Sequence, residues 1–229
     1  YEADDVIGTL ATSAEKAGYK VDIFSSDRDL LQLVDQNTRV RLLKKGLSEI
    51  EDVTPEVLYQ DMEIKPNQVT DLKGLMGDNS DNIPGVPGIG PKTALKLLHQ
   101  YSTVENLYDH IDEIKGKQRE KLETYETQAR LSKVLATIEC DLDLTITLDE
   151  LNYEGIDLHA SQQFFRKIES KTLVKKAQNI FDMQEATLAI DQTNDLDGLL
   201  QDIVTPQLEL TTSDANIMFA DETILYFEH

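Results

Sequence analysis

In the first part of the chain, a helical pattern of apolar residues is followed by patterns typical of strands. In residues 3–17 the apolar side chains fall on one helical face, and Gly18 ends that pattern. Residues 20–24 and 38–43 show the patterns of short strands, and residues 30–34 between them suit a helical turn. A helix and strands in this order predict an α/β sheet, in which functional residues gather beyond the carboxyl ends of the strands.

From Pro55 onward the helical period dominates. Proline is tolerated in a first helical turn, so Pro55 and Pro66 each indicate the start of a helix. The segments predicted to be helical after Pro55 include residues 66–76, 91–100, 103–114, 117–138 and 161–177, and one more strand is predicted over residues 145–148. The fold class that follows is α/β at the start and mainly helical afterwards.

The charge distribution divides the chain near residue 184. After Lys176 there is no lysine or arginine, whereas eleven acidic residues follow, so the net charge of −21 is concentrated at the end. The preceding part holds 32 acidic and 22 basic residues, which leaves nucleic-acid binding open despite the acidic total. The change in composition around residues 182–186 predicts a first domain of residues 1–183 and a second domain of residues 184–229.

Cysteine content and hydropathy exclude two classes of protein. Cys140 is the only cysteine, which rules out an internal disulfide framework and is consistent with a reducing cytosol. No apolar run approaches the roughly 20 residues that span a bilayer. We therefore expect a cytoplasmic protein without a membrane partner. The chain opens at Tyr1 directly before an acidic motif, so we also expect further sequence upstream.

Carboxylates occur in three tight groups, each at the end of a predicted element. The groups are Glu2, Asp4 and Asp5; Asp27 and Asp29; and Asp78 and Asp81. Such oxygens suit hard divalent cations, and a two-metal phosphoryl site needs several carboxylates that converge on ions roughly 4 Å apart. Taken singly, each group is better explained as a helix cap or a solvated loop, since acidic residues are favoured at helix starts. The acidic groups alone indicate no more than a candidate metal site.

A stretch rich in glycine and proline, residues 85–94, carries a more specific signal. Its three glycines permit a tight hairpin with unobstructed backbone N–H groups, a shape that binds anions. Pro91 then starts a helix whose N-terminus favours phosphate, with Lys92 adding a charge and Thr93 a hydroxyl. This is the helix–hairpin–helix pattern, which grips the sugar-phosphate backbone and which we assign to residues 75–100. The candidate DNA-binding residues are Gly85, Val86, Gly88, Ile89, Gly90, Lys92 and Thr93.

Together, the acidic groups and the hairpin resemble the 5′ nuclease (flap endonuclease-like) domain of bacterial DNA polymerase I. The matching segments, in order, are Glu2-Ala3-Asp4-Asp5, Ser26-Asp27-Arg28-Asp29, Gly77-Asp78-Asn79-Ser80-Asp81-Asn82-Ile83-Pro84-Gly85-Val86 and Gly88-Ile89-Gly90-Pro91-Lys92-Thr93-Ala94. They agree in order and spacing over about the first 180 residues. The resemblance implies a PIN-like nuclease sheet followed by a helical region that contains the helix–hairpin–helix.

The resemblance also implies a reaction and its partners. The reaction is hydrolysis of phosphodiester bonds at 5′ flaps, 5′ ends or nicks by a two-metal mechanism, in replication and repair. One Mg²⁺ or Mn²⁺ ion or its waters would be held by Glu2, Asp4, Asp5, Asp27 and Asp29, and a second by Asp78 and Asp81. The hairpin would clamp the downstream duplex, and the family commonly binds K⁺ through hairpin carbonyls. The implied partners are a DNA duplex with a 5′ flap or nick and the rest of a polymerase chain.

Two features that the family leads us to expect are not found in this sequence. They are a first strand with further metal-binding aspartates and a basic arch that steers the single strand. We therefore expect an incomplete sheet and impaired cleavage by this chain taken alone. From residue 184 the chain resembles the start of a 3′–5′ exonuclease-like α/β domain. Residues 208–214 lack the Asp-x-Glu metal pair of proofreading members, so that domain is expected to be inactive.

Two alternative functions stay open on the sequence alone. The first is a non-catalytic DNA-binding module built on the helix–hairpin–helix, with acidic residues that serve only the structure. The second is a free-standing 5′ nuclease, in which residues 184–229 would be an ordinary extension. Metal-dependent cleavage of a flap substrate would distinguish a nuclease from the binding module. The length of the whole gene would distinguish a polymerase from a free-standing nuclease.

Overall fold

The computed structural model of the protein describes residues 1–45, 49–153, 155, 157–193, 216–220 and 223–228. These residues belong to two compact units, Tyr1–Asn152 with Ser213–His229, and Tyr153–Thr212. Residues 208–214, interpreted above as a degenerate exonuclease strand, lie outside the described part of the chain. None of the described helices has both the length and the apolar character of a membrane span.

One sheet organises the first unit. Its strands are β1 (Lys20–Ser25), β2 (Thr38–Leu43), β3 (Ile50–Val53), β4 (Asn216–Ala220) and β5 (Thr223–Glu228), in the order β3-β2-β1-β5-β4. β1 and β2 are parallel, with Val21 opposite Thr38, and the other neighbouring pairs are antiparallel. β1 is therefore central, and β5 pairs with the edge opposite β2. The division of the chain into domains at residues 183–184 stays a prediction.

Short helices make up most of the remaining structure. The helices of the first unit are α1 (Ala3–Lys16), α2 (Pro55–Met62), α3 (Val69–Met76), α4 (Pro91–Tyr101), α5 (Val104–Asp109), α6 (Gly116–Thr124) and α7 (Glu126–Leu135). Short 3-10 helices occur at Asp29–Leu33, Pro66–Gln68, Ile111–Glu113 and Asp149–Leu151. The second unit contains α8 (Leu158–Lys167) and α9 (Lys171–Thr193).

An apolar core joins the sheet to the helical region of the first unit. Ile7 of α1, Ile23 of β1 and Val40 of β2 are buried, as the helical face and the strand patterns predict. The same cluster of buried side chains includes Leu75 of α3 and Leu98 of α4. Because α3 and α4 flank the hairpin, this core connects the hairpin to the carboxyl end of β1.

The two early strands and most helix starts are confirmed within a few residues, but three predicted helices are wrong because each is broken. Residues 103–114 divide into α5 and a 3-10 helix at His110, where φ is −115° and ψ is 23°. Residues 117–138 divide into α6 and α7 at Tyr125, where φ is −111° and ψ is 20°. Residues 161–177 divide into α8 and α9 just after the helix end, where Glu169 adopts a left-handed φ of 58°. The change of direction at Tyr125 lets both α6 and α7 face the core, where Leu122 and Ala129 are buried, whereas α8 has no buried residue.

Two further differences concern strands and loops. The strand predicted over residues 145–148 is wrong, because Thr147 donates both its N–H and its hydroxyl to the Glu150 carboxylate, at 2.8 and 2.7 Å. Those bonds lead into a 3-10 turn instead of a strand. β3 is a strand that the pattern did not predict, and it forms by antiparallel pairing with β2, with Val53 opposite Val40.

Candidate functional site

The start of α1 carries the first acidic group. Glu2 is the N-cap residue, and its backbone N–H donates to Asp5 Oδ2 at 3.1 Å. The other oxygen, Asp5 Oδ1, accepts the backbone N–H of Glu139 at 3.0 Å. Both oxygens of Asp5 are thus held by backbone groups, while the neighbouring Asp4 is half-buried. In this group Asp5 therefore caps the helix, whereas the Asp4 carboxylate is not part of the cap.

The loop after β1 carries the second acidic group. The strand ends at Ser25, whose Oγ accepts the N–H of Asp27 at 3.1 Å. Asp27 Oδ1 then accepts the N–H of Asp29 at 2.8 Å, and Asp29 starts a 3-10 helix. The strand does not continue through these residues. Their relative position is set by a turn that the Asp27 side chain closes, rather than by alternation along a strand.

The loop between α3 and the hairpin carries the third acidic group. Gly77 follows α3 with a φ of 73°, and Asp78 and Ile83 then exchange two backbone hydrogen bonds of 2.8 Å. Asp78 Oδ1 also accepts the N–H of Ser80 at 2.8 Å. These bonds close a tight loop that carries Asp78 and Asp81 on one short stretch of chain.

The second and third groups meet around Lys73 of α3. Carboxylate oxygens of Asp29, Asp78 and Asp81, here called the acidic trio, lie within 4.8 Å of one another. Lys73 is only 6% exposed and hydrogen-bonds to Asp29. Its Nζ lies 2.7 Å from Asp78 Oδ2 and 3.7 Å from Asp81 Oδ2. The remaining predicted metal ligands lie among the described residues but outside this trio. They are Glu2, Asp4, Asp5 and Asp27.

Burial, neighbouring charges and hydrogen bonds shift the pKa values of several of these carboxylates. Burial and the charges of Asp27 and Asp29 raise the pKa of Asp4 to about 6, so the first group senses the second. Burial raises the pKa of Asp29 to about 6, although the Lys73 ammonium opposes that rise. Burial also opposes ionisation of Asp78, but hydrogen bonds from Lys73 and Ser80 outweigh it and lower its pKa to about 2. Lys73 thus compensates part of the negative charge and leaves part of it uncompensated.

The donor set fits a divalent metal ion. All three ligands of the acidic trio are carboxylates, which hard cations such as Mg²⁺ and Mn²⁺ prefer. Burial and then neighbouring carboxylates raise the pKa values of Asp4 and Asp29, and a bound cation would favour their ionised forms. The acidic trio is therefore a candidate divalent-metal site, with the start of α1 beside it.

Backbone packing fixes the base of the hairpin. Gly85 has a left-handed φ of 57°, and a Cβ at this position would lie 2.1 Å from Gly77 N and 2.5 Å from Met76 C. From the other side, α7 holds the same residue. Gly85 N–H donates to Ser132 Oγ at 3.0 Å, and Gln128 Nε2 donates to Gly85 O at 2.6 Å. Only glycine fits between these two surfaces.

The tip of the hairpin presents backbone rather than apolar side chains to solvent. Val86 and Ile89 are 2% and 4% exposed, so their side chains anchor the hairpin in the core. Gly88, with a φ of 81°, and Gly90 are exposed. Gly90 is the N-cap residue of α4, as the sequence predicts for a helix start with Pro91 in its first turn. Pro91 has no N–H, and the Thr93 N–H donates to Gly90 O at 3.0 Å, so the backbone open to an anion is that of the exposed residues Gly88, Gly90 and Lys92.

Two lysines flank the exposed glycines. Lys92 is exposed in the first turn of α4, next to the half-buried Thr93. Lys121 of α6 reaches the hairpin from another part of the chain, because a Cβ built on Gly88 would lie 2.2 Å from its Nζ. The hairpin tip therefore combines accessible backbone with positive charge from two helices.

Sequence patterns did not single out Lys73 or Lys121. Lys73 lies one helical turn before Gly77, and a lysine at that spacing from an acidic loop was a signal that local reasoning could have used. Lys121 has no such signal, because its nearness to Gly88 depends on how α6 packs. Long-range packing, rather than a motif, brings it to the site.

Two family models match consecutive parts of the chain. The N-terminal resolvase-like domain of 5′–3′ exonucleases matches residues 1–65, and their C-terminal SAM fold matches residues 64–159. Together they cover residues 1–159 of 229 and include every acidic and hairpin residue described above. The chain belongs to the 5′–3′ exonuclease family. The resemblance predicted from the motifs is thereby confirmed.

Curated relatives of this 5′–3′ exonuclease chain are bacterial DNA polymerases. It is 48% identical to DNA polymerase I of Bacillus subtilis over 177 residues, which are 77% of this chain and 20% of the relative. It is 40% identical to DNA polymerase I of Streptococcus pneumoniae over 229 residues, which are 100% of this chain and 24% of the relative. The chain thus spans about a quarter or less of the length of these relatives.

Solved structures with a similar fold are 5′ nucleases of bacteriophage T5. The T5 D15 flap endonuclease, solved as a pseudo-enzyme-product complex with DNA and metal ions, superposes with a TM-score of 0.52. It is 20% identical, and the match covers 80% of this chain and 60% of that one. T5 5′-exonuclease with bound zinc gives a TM-score of 0.50 at 21% identity, covering 77% and 59% of the two chains. The expected fold class, a nuclease-type sheet followed by a helical region, is confirmed.

Proposed function

We propose that this chain is the 5′–3′ exonuclease and flap endonuclease part of a DNA-directed DNA polymerase I that acts in the cytoplasm. The substrate class is a DNA duplex with a 5′ flap or a nick, and the reaction is hydrolysis of a phosphodiester bond. The partners are that DNA and the rest of the polymerase chain. Membership in the family and the similarity to bacterial DNA polymerase I support this proposal.

The observation that carries the proposal is the direct connection between the acidic trio and the hairpin. Asp78 and Asp81 lie on the loop that runs straight into Gly85, and Gly85 packs on Gly77 at the start of that loop. A duplex held at Gly88–Gly90 is therefore held at a fixed distance from the carboxylates. A separate DNA-binding module would have no need for such a rigid link to a cluster of carboxylates in which burial raises the pKa of Asp29 to about 6.

The predicted metal ligands are assigned to two metal positions. We assign Asp78 and Asp81 to one Mg²⁺ or Mn²⁺ ion, and the residues of the other two groups to a second ion or its waters. When bound, such ions activate water and stabilise charge on the phosphate during in-line displacement. Lys73 moderates the repulsion within the acidic trio and holds Asp78 in its charged, ligating form. Asp5 keeps the start of α1 in place through its two backbone contacts.

The hairpin binds the duplex without regard to sequence. The exposed backbone at Gly88 and Gly90, the first turn of α4 and the lysines Lys92 and Lys121 present donors and positive charge to phosphate oxygens. Val86 and Ile89 are buried, and their N–H groups donate to Leu75 O and Val86 O at 2.8 and 2.9 Å, so they contribute by holding the hairpin backbone in shape. The expected binding is therefore dominated by phosphate contacts and sensitive to salt.

The test is cleavage of a labelled 5′-flap duplex by the full-length protein in Mg²⁺, with Mn²⁺ and EDTA as parallel conditions. We expect release of the flap in either metal and none in EDTA, whereas a blunt duplex without a nick is cut much more slowly. A flap duplex that is bound tightly but not cut in either metal would instead support the non-catalytic binding module.

A monovalent cation at the hairpin is a further part of the proposal. We propose that K⁺ binds through backbone carbonyls of residues 85–90 and supports the grip on phosphate. Replacing KCl with tetramethylammonium chloride at constant ionic strength is expected to weaken duplex binding. Equal binding in the two salts would remove K⁺ from the proposal and leave the nuclease assignment unaffected.

Residues 184–229 are proposed to begin a 3′–5′ exonuclease-like domain without proofreading activity. In support, the similarity to the pneumococcal DNA polymerase I extends over all 229 residues. A primer with a mismatched 3′ end, incubated with the full-length protein and Mg²⁺ but no nucleotides, is expected to stay intact at that end. Steady trimming from the 3′ end would show that metal ligands for proofreading are present elsewhere in the protein.

A further inference from the structure

The stretch that follows α7, residues 136–142, lies against α1 and is here called the strap. Glu139 of the strap donates its N–H to Asp5 Oδ1 at 3.0 Å. The hydroxyl of Thr9 donates to Glu139 O at 3.4 Å and accepts the N–H of Leu142 at 3.2 Å. The strap is therefore bound to the first two turns of α1, directly beside the first acidic group.

Gly8 of α1 permits this close approach. A Cβ at Gly8 would lie 2.8 Å from both Cys140 Sγ and Ile138 Cγ2 of the strap. Any larger residue would push the strap away from the helix and lengthen the hydrogen bond to Asp5. The absence of a side chain at Gly8 thus serves the contact between the strap and α1.

Gln32 connects the strap to the second acidic group. Its Oε1 accepts the N–H of Ile138 at 2.9 Å. Its Nε2 donates to Ala136 O at 2.9 Å and to Asp29 O at 3.0 Å. The half-buried amide therefore joins the 3-10 helix that starts at Asp29 to both sides of a turn in the strap. All three bonds are to backbone groups, so they fix main-chain positions rather than side-chain rotamers.

We propose that Gln32 is a positioning residue for the metal centre, an inference that rests on the proposed function. Gln32 holds the backbone of Asp29 on the strap, and the strap holds Asp5 and the start of α1. The first and second acidic groups are thereby kept at a fixed separation. Among the hydrogen bonds described for these two groups, none joins one group directly to the other. The amide of Gln32 bonds to backbone groups, so its effect on the metal centre is transmitted through Asp29.

The chemistry of the amide explains why another residue does not replace it. A leucine of similar size would leave the Ile138 N–H, the Ala136 carbonyl and one contact of the Asp29 carbonyl without their partner. A glutamate would keep an acceptor for Ile138 but would lose the donor for both carbonyls. Residues that orient metal ligands from outside the ligand shell typically change metal affinity or activity by about 10- to 100-fold when mutated.

The test compares Gln32→Leu and Gln32→Glu with a matched control in the full-length protein. The control is Gln128→Leu, because Gln128 is also half-buried and its Nε2 also donates to a backbone carbonyl, that of Gly85 at the hairpin. Free Mn²⁺ is measured by electron paramagnetic resonance in a titration without DNA, and thermal unfolding is recorded for each variant. Binding of a flap duplex is measured separately in Ca²⁺.

We expect Gln32→Leu to raise the Kd for Mn²⁺ by about 10-fold or more, with Gln32→Glu raised by at least a few fold. Gln128→Leu is expected to leave the Mn²⁺ Kd within twofold of the wild type and to weaken duplex binding instead. If Gln32→Leu fails to fold, the comparison between Gln32→Glu and the wild type decides the question in the same way.

Two results would overturn the inference about Gln32. One is an Mn²⁺ Kd within twofold of the wild type for both Gln32 variants. The other is an equal loss of Mn²⁺ affinity in Gln128→Leu, since that would reflect general loosening of the fold. If the wild-type protein binds no Mn²⁺, the proposed metal centre itself is wrong. The wild-type titration alone distinguishes that outcome from the two results above.

Discussion

The hairpin and the acidic trio are built in opposite ways. The hairpin is one continuous stretch whose shape depends on backbone contacts between Gly77 and Gly85 and on support from α7. The acidic trio takes ligands from two loops on either side of Lys73, and Asp4 approaches from a third segment. A continuous motif keeps its geometry wherever it is placed, whereas a site assembled from separate loops depends on everything that holds those loops together.

This difference predicts how each region responds to change. Substitutions in the hairpin act through local sterics and through phosphate contacts, so their effects stay confined to folding of that region or to DNA binding. Substitutions around the acidic trio alter charge balance, so their effects depend on whether metal is present. Binding and cleavage are therefore separable by mutation, and four experiments test the contrast between the two regions.

The largest effect is expected from the carboxylates. Asp78→Asn and Asp27→Asn are expected to reduce flap cleavage by more than about 100-fold, because mutation of residues outside the ligand shell already costs roughly 10- to 100-fold. Duplex binding in Ca²⁺ is expected to stay nearly normal. Asp112→Asn is the control, since Asp112 is an exposed acid that pairs with Arg119. Near-normal turnover by both variants at saturating Mg²⁺ would remove these residues from the metal centre.

The next effect is on folding of the hairpin. Gly85→Ala places a methyl group against the backbone of Gly77 and Met76 at a left-handed φ, so we expect a loss of about 3 kcal/mol in the free energy of unfolding. Gly90→Ala has open space and an ordinary φ of −95°, and is expected to cost less than about 1 kcal/mol. Urea denaturation of both variants measures the difference. Similar stabilities would mean that Gly85 is not pressed against the preceding helix.

A smaller effect on stability is expected from Lys73→Met. The change removes the buried counter-charge of Asp29 and Asp78, and we expect about 2 kcal/mol of destabilisation without metal. Mg²⁺ should restore much of this loss, so the rise in Tm on adding Mg²⁺ is expected to be larger than in the wild type. Lys96→Met, at an exposed position of α4, is the control. An equal Mg²⁺ response in Lys73→Met and the wild type would contradict the role of Lys73 as counter-charge.

The smallest effect is a change in salt dependence. Lys92→Ala is expected to lower the slope of log K against log salt by about one, the value for one lost phosphate contact. Lys121→Ala is expected to lower it by a similar amount, and the double variant by about two. Fluorescence anisotropy with a nicked duplex gives the slopes, with Lys16→Ala at the end of α1 as control. A slope that is unchanged in Lys121→Ala would mean that its ammonium group does not meet phosphate.

The same contrast explains what the sequence predicts and what it does not. The hairpin and the start of α4 are predictable because Gly85, Gly88, Gly90 and Pro91 impose their conformations locally. The three acidic groups are recognisable as motifs, but their convergence on Lys73 follows from packing between the sheet and α3. The first helix and the strands β1 and β2 are likewise set by local periodicity.

Misplaced elements have physical causes that no local pattern reveals. The four residues of β3, Ile50–Val53, do not alternate between apolar and polar, and the strand depends on pairing with β2. The strand predicted over residues 145–148 does not form, because the Thr147 N–H donates to the Glu150 carboxylate instead. The strap and its contact with Gln32 join residues far apart in the chain, and sequence periodicity contains no information about such a pairing.

The strap also has a practical consequence for measurements in solution. Cys140 is the only cysteine of the chain, it packs over Gly8, and burial raises the pKa of its thiol. A thiol of this kind is a weak nucleophile at neutral pH, so alkylating reagents will modify it slowly. Pro87→Cys, at the exposed tip of the hairpin, would therefore accept a spin label with little competition. The distance from that label to bound Mn²⁺ would then show directly whether the hairpin and the acidic trio keep the same separation when DNA binds.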